Sequence, residues 1–446
     1  MESNLTKGSI FGNIIRFSVP YMLSYFMQML YGLADLYIVG RYDGTASITA
    51  VSIGSQIMHF VTVMLVGVAM GTTVTIGRAV GEGNSKRVSR TIGNTIIIFI
   101  VGSVALTGIM LALTDSVVRV MSTPAEAVSE TRSYLLICFG GIPFITAYNI
   151  ISSIYRGLGD SRSPMYFVAV ACVANIGLDF LFIGAMDMGA AGAALGTILA
   201  QTVSVVVALL SVKRKKGSIS LDRSDLRPDR DIIGNILRVG FPVALQDGFI
   251  QIAFLIVTII ANRRGLLDAA AVGIVEKIIG LVFIIPSSML SSVSAIVSQN
   301  LGAGKEKRAT DSLRYAVFIC VGFGLAVSVA VQFCAGGIVG IFEDDSRVVE
   351  LGSQYLRSYI WDCLLAGIHF CFSGYFCACQ HSGISFLHNS LSIVLARVPL
   401  AYLLSRMYAD TLFPMGAAAP IGSLLSVIIC VIAYIILRRR AKHNTP

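Results

Sequence analysis

Charge is what this chain has least of. Only 13% of its 446 residues are Asp, Glu, Lys or Arg, against 55% hydrophobic ones, and the mean hydropathy is +0.78. So little polar surface cannot cover the two or three water-soluble domains that the length alone would suggest. No glycine-rich phosphate loop is present, so no nucleotide is expected as energy source. The nine cysteines, Cys138, Cys172, Cys320, Cys334, Cys363, Cys371, Cys377, Cys379 and Cys430, lack metal-ligand spacing. They read as small hydrophobes, and no cofactor is expected. The opening Met1 to Lys7 carries no small-residue cleavage site, so the first apolar run is expected to be retained.

What the chain does have is long apolar runs. Read between charged and Gly/Pro punctuation, they number twelve: about 14–38, 50–76, 92–114, 132–155, 164–184 and 189–212, then 232–262, 270–297, 312–340, 352–378, 385–406 and 416–437. Most approach or exceed the length that crosses a ~30 Å hydrocarbon core. The fold class is therefore an all-α polytopic membrane protein with twelve transmembrane helices in the lipid bilayer. The net charge of +9 sits in clusters at Arg78–Arg90, Lys213–Arg238, Lys305–Arg314 and Arg438–Lys442, on alternate loops. That is the positive-inside pattern and not a nucleic-acid footprint. It places both termini and the linker in the cytoplasm, with about 24 of 34 Lys/Arg on inner segments and about eight on outer ones.

The chain also says nearly the same thing twice. Ile14-Ile15-Arg16-Phe17-Ser18-Val19-Pro20 returns as Ile236-Leu237-Arg238-Val239-Gly240-Phe241-Pro242. Ala50-Val51-Ser52-Ile53 returns as Ala271-Val272-Gly273-Ile274, and Gly81 to Arg87 returns as Gly302 to Arg308, all about 221 residues on. Six spans per half make the two repeats parallel, related by a pseudo-two-fold along the membrane normal. The expected organisation is an N-terminal lobe over 1–212, a cytoplasmic linker over 213–231 and a C-terminal lobe over 232–446. A duplicated apolar half-chain is the signature of a secondary transporter.

Pro20 followed by Gln28, Tyr31, Asp35 and Gly40, then Tyr155-Arg156-Gly157-Leu158-Gly159-Asp160-Ser161-Arg162-Ser163-Pro164, then Asn175 with Asp179, together resemble the MATE (multidrug and toxic compound extrusion) family along the whole chain. The first half looks most like its DinF-type branch. The resemblance implies an antiporter in a bacterial or archaeal cytoplasmic membrane, acting as a monomer. It would be driven by H⁺ or Na⁺ and would export bulky, often cationic small organic compounds. It further implies a coupling site, proton or Na⁺, at Asp35, Asn175, Asp179 and Thr197, with Gln28, Tyr31, Tyr134 and Asn149 near the substrate cavity.

The same residues can be argued from physics. A carboxylate inside a span costs ~3 kcal/mol or more at the bilayer centre, so Asp35 and Asp179 need a partner, water, a proton or a cation. Asn175 and Asp179 are four apart and share a helix face, as do Gln28, Tyr31 and Asp35. In the second repeat Arg397 replaces Asn175 and Ala401 replaces Asp179, so coupling should be confined to the first lobe. Asp247, Glu276, Lys277, Asp362 and Arg397 are read as pairs holding the second lobe together, the alternative being that Asp247 or Asp362 faces the cavity. His369 is either a titrating group or a hydrogen-bonded packing residue. Pro20, without a backbone donor, is expected to kink the first span. Two rival functions remain. A lipid-linked oligosaccharide flippase would favour a more cationic interior than Lys277 and Arg397 supply. An intramembrane aspartyl protease would rest on Gly157-Leu158-Gly159-Asp160, which sits in a loop and reads as a turn.

Overall fold

The computed structural model describes residues 5–214 and 222–443. Residues 215–221 of the expected linker, and both extreme termini, lie outside the described residues. Among the described residues eleven helices are long and apolar enough to cross a membrane, and one bent pair makes a twelfth span. In chain order they are span 1 (Ile10–Tyr42), span 2 (Thr45–Gly81), span 3 (Ser85–Val120), span 4 (Ala125–Gly140 with Ile142–Gly157), span 5 (Arg162–Ala185) and span 6 (Gly189–Lys213). Span 7 (Arg230–Asn262), span 8 (Leu266–Gly302), span 9 (Glu306–Val339), span 10 (Ser346–Ala378), span 11 (Ser382–Met407) and span 12 (Phe413–Arg440) follow.

Span 4 departs from the single run expected over 132–155. Its halves meet at 47°. The cause is local: Gly140-Gly141 weakens the helix and Pro143, in the first turn of the second half, has no donor to continue the ladder. Gly141 is also held to glycine, because a Cβ there would overlap the Ile198 side chain of span 6. Span 1, by contrast, continues as one helix through Pro20, with the Ser24 hydroxyl donating to the Pro20 carbonyl at 2.9 Å.

Side chains set several helix starts. Asn84 opens span 3 by accepting from the Arg87 amide at 3.0 Å, and Asp345 opens span 10 by accepting from the Arg347 amide at 2.8 Å. Before span 7, Asp222 and Asp225 form a capping box on the turn Arg223–Leu226. That turn is pinned to span 3: Asn94 accepts from the Asp229 amide at 2.7 Å, and its amide reaches the Arg227 carbonyl at 3.3 Å.

The chain forms two compact units. The first comprises Val19–Gly240 with Gly302–Gly304; the second comprises Thr6–Ser18, Phe241–Leu301 and the chain from Lys305 on. Span 1 and span 7 thus each change unit partway along, one residue or so before Pro20 and Pro242 respectively. The core of the first unit gathers Ile38, Val51, Tyr134, Leu135, Phe139, Ile183 and Ile198 from spans 1, 2, 4, 5 and 6. That of the second gathers Val275, Ile279, Leu356, Ile360, Leu412 and Met415 from spans 8, 10 and 12 and the loop before span 12. Tyr37, Ile100, Val173, Phe318 and Phe333 are exposed instead, as bilayer-facing side chains should be.

Candidate functional site

The first unit brings Asp35, Asn175, Asp179 and Thr197 together from spans 1, 5 and 6. Spans 5 and 6 pack along one another, which carries Thr197 over the Asp179 face. Asp179 is fully buried, Asn175 is 1% exposed and Asp35 is 6% exposed. The Thr197 hydroxyl donates to Asp35 Oδ2 at 3.4 Å. Asp35 also lies beside both Asp179 and Asn175. Despite this crowding, Asp35 Oδ1, both Asp179 carboxyl oxygens and both polar atoms of the Asn175 amide have no hydrogen-bond partner among the described residues. Five polar atoms without a protein partner in one buried cluster are costly, at ~1–3 kcal/mol each and more for a charge, unless something fills the gap.

Two features of this cluster escape sequence reasoning. Asp179 ends the regular α-helix of span 5, and the next residues, Phe180–Ala185, run as a π-helix. Such wide turns concentrate at functional sites, because they re-aim the side chains around them. Gly196 is the second feature: a Cβ there would overlap Asp179 Oδ1, so the missing side chain is what gives the carboxylate its room. A buried glycine one residue before Thr197 was the available signal.

The cavity residues divide. Tyr31 lies beside Asp35, Tyr148 and Gln201, and Gln28 lies beside Tyr148. Tyr134 also faces Asp35 and Tyr31, its ring filling the space that Gly54 leaves open. Asn149 keeps to its own helix, donating to the Ile145 carbonyl at 2.9 Å. Tyr148 and Gln201 were not anticipated; the Tyr148 hydroxyl and Gln201 Oε1 lack hydrogen-bond partners among the described residues.

The second unit corrects part of the expected charge pairing. Arg397, the last residue of a π-helix over Ile393–Arg397, pairs with Asp362 at 3.5 Å and donates to the Tyr359 hydroxyl. Glu276 accepts from the Tyr355 hydroxyl at 3.3 Å. Lys277 and Asp247 stay out of this group. Lys277 is exposed, pointing away one helical step from Glu276, and Asp247 is half-buried; neither makes an ion pair among the described residues. His369 is buried, with its ring centroid 5.5 Å from that of His388. The Asp160 motif is a turn: Gly159 has φ +89°, and Asp160 accepts from the Arg162 and Ser163 amides at 3.0 Å, opening span 5. Among the described residues no group of three His, Cys, Asp or Glu side chains could hold a metal ion.

Comparison with known proteins bears on this geometry. The family profile described as MatE matches residues 20–181 and again 242–403, once per repeat. The chain is 27% identical to the probable multidrug resistance protein YpnP of Bacillus subtilis over 404 residues, 90% of each chain. It is 25% identical to the multidrug export protein MepA of Staphylococcus saprophyticus, over 82% of this chain and 81% of that one. A solved structure described as the outward-facing conformation of a multidrug resistance MATE family transporter of the MOP superfamily covers 99% of both chains, with TM-score 0.92 and 23% identity.

Proposed function

This chain belongs to the MATE family of membrane transporters and is not an enzyme, and on that premise we propose that it is a cation-coupled exporter of bulky organic compounds. The observation that carries the reading is the set of five unpartnered polar atoms on Asp35, Asn175 and Asp179, with Thr197 closing the cluster. Two carboxylates, an amide oxygen and a hydroxyl are hard oxygen ligands that suit Na⁺, and the same carboxylates can instead share a proton. Either occupant removes the cost of an unbalanced charge in a buried site. A cationic substrate removes the same cost, so driving ion and substrate compete, and linkage makes each weaken the other's binding. The relatives' names, multidrug resistance and multidrug export, support small organic compounds as cargo.

The proposed setting is a bacterial or archaeal cytoplasmic membrane, with a monomer whose termini and linker are cytoplasmic. Purified protein in proteoliposomes, given a dye and separately imposed H⁺ and Na⁺ gradients, tests the coupling. Transport indifferent to both gradients would end the proposal. Orientation is tested by labelling single cysteines from outside intact cells on a thiol-free background: Asp344→Cys should react and Ser218→Cys should not.

A further inference from the structure

The motif that begins at Tyr155 holds one residue still without a role: Arg156, one position before the end of span 4. Its guanidinium lies 4.0 Å from the centre of the Tyr21 ring, on span 1. Tyr21 is 2% exposed and stands 14 residues before Asp35, about 21 Å along the helix. Between them Tyr25, Gln28 and Tyr31 complete a series at steps of four, three, three and four, so all five share one face of span 1. On span 4, Tyr148, Ser152 and Arg156 share a face at steps of four.

The two faces form one row. Tyr31 lies beside Asp35, Tyr148 and, on span 6, Gln201. Tyr148 lies beside Gln28 and Ser152, with Arg156 and Tyr21 beyond them. Yet Asp35 Oδ1, Gln201 Oε1, the Tyr148 hydroxyl, the Ser152 hydroxyl and Arg156 Nε are buried with no hydrogen-bond partner among the described residues. Buried groups of this kind are satisfied by bound water, each molecule bridging two to four polar atoms. Past Asp35 the packing is apolar instead, with Ile38, Val39, Leu135 and Ile183 in the core of the unit. Within this unit the polar row therefore leaves Asp35 towards the end of the lobe at which span 1 begins and span 4 ends.

We infer that bound water fills this row and joins the Asp35 cluster to that end of the lobe, and that Arg156, seated on Tyr21, restricts exchange through it. A guanidinium stays charged across the working pH range and repels Na⁺ or a hydronium ion at the mouth of the row. Its stacking on an aromatic face is a weak hold, so the side chain can swing aside while the helices stay packed. With the mouth open, a cation or proton reaches Asp35 along hydroxyl, amide and water oxygens, the relay chemistry that buried polar chains supply in membrane proteins. The use of the row in coupling rests on the reading of Asp35 and Asp179 proposed above; the row and its gate do not.

Hydroxyl-radical labelling of the full-length protein in lipid nanodiscs, by X-ray radiolysis of water and peptide mass spectrometry, tests this. Radicals form where water is, so the Tyr148 ring should be modified at least tenfold more than Phe139, a comparably buried ring in the apolar core of the same span. Rapid mixing into H₂¹⁸O then times the exchange of that water with bulk. Arg156→Gln and Tyr21→Leu should each speed exchange at Tyr148 at least tenfold. The Asp35→Asn/Asp179→Asn double variant should be labelled at Tyr148 as the parent is. Labelling of Tyr148 no higher than that of Phe139 would overturn the row, and the parent protein alone decides this. Exchange unchanged in both Arg156→Gln and Tyr21→Leu would overturn the gate. Loss of the label in the double variant would tie the water to the carboxylates and overturn the row as well. Intact labelling in a protein whose transport ignores both ion gradients upholds the row and removes only the coupling reading.

Discussion

Spans 5 and 11 are repeat-related helices with opposite electrostatics. In span 5, Asn175 and Asp179 precede a π-helix and face Asp35, with no cation beside them among the described residues. In span 11, Arg397 ends a π-helix and meets Asp362 and Tyr359. The partner helices keep a shared device: Gly196-Thr197 in span 6 and Gly422-Ser423 in span 12. Gly196 makes room for the Asp179 carboxylate, whereas Gly422 makes room for Arg397 Cβ and the Ser392 hydroxyl. Thr197 reaches Asp35, and Ser423 lies beside Asp362. The scaffold was thus retained while its charges diverged. One lobe is left with acids that lack a counter-charge, and the other with an acid that has one.

The largest effect should come from neutralising the first lobe. Asp179→Asn and Asp35→Asn nearly preserve volume, so protein should reach the membrane while dye efflux and its ion dependence fall together. Efflux should fall at least tenfold in each variant. Normal efflux under a gradient by either variant would remove that residue from the coupling site and make Asp247 and Asp362 the next candidates.

Next in size is the second lobe's cation. Arg397→Ala leaves Asp362 buried without its partner, which should lower stability by about 3–5 kcal/mol in thermal unfolding, with ion dependence kept in the folded fraction. Lys277→Ala, at an exposed and unpaired position, should stay within about 0.5 kcal/mol of the parent. A stable Arg397→Ala protein that has lost ion dependence would erase the contrast between the lobes.

The smallest effect sharpens the role of space. Gly196→Ala puts a methyl group against Asp179 Oδ1 and should cost about tenfold in ion affinity, near 1.4 kcal/mol. Gly177→Ala, on span 5 with nothing within 4 Å of an added Cβ, should be neutral or up to about 1 kcal/mol stabilising. Equal outcomes for the two glycines in a sodium titration would show that the Gly196 gap does not matter.

The sequence carried the scaffold because hydropathy and positive-inside charge act over whole spans, and a repeat read at about 221 residues reappears as two profile matches 222 apart. The convergence of Asp35, Asn175, Asp179 and Thr197 from three spans was implied by the family resemblance; helical spacing by itself adds only that Asn175 and Asp179 share one face. The break in span 4 was harder: Gly140, Gly141 and Pro143 stood in plain view, but membrane helices tolerate such residues and hydropathy runs straight through them. The π-turns had no local signature, since apolar residues such as Phe180 to Ile183 fit either winding. Nor could composition say that Glu276 points inward and Lys277 outward, because adjacent residues lie about 100° apart on a helix and only packing decides which faces in.

The change of unit partway along span 1 reaches back to biosynthesis. Thr6–Ser18 belongs with the second unit. There Lys305 holds the Thr6 carbonyl at 2.8 Å, while Arg308 holds the Lys7 and Gly8 carbonyls at 2.9 and 2.8 Å. Those partners lie about 300 residues downstream, so at about 5–20 residues per second the ribosome needs roughly 15–60 s to deliver them. The first helix to enter the membrane is therefore among the last to be anchored. A fragment ending before residue 305 cannot complete that anchorage, however well its seven other spans insert.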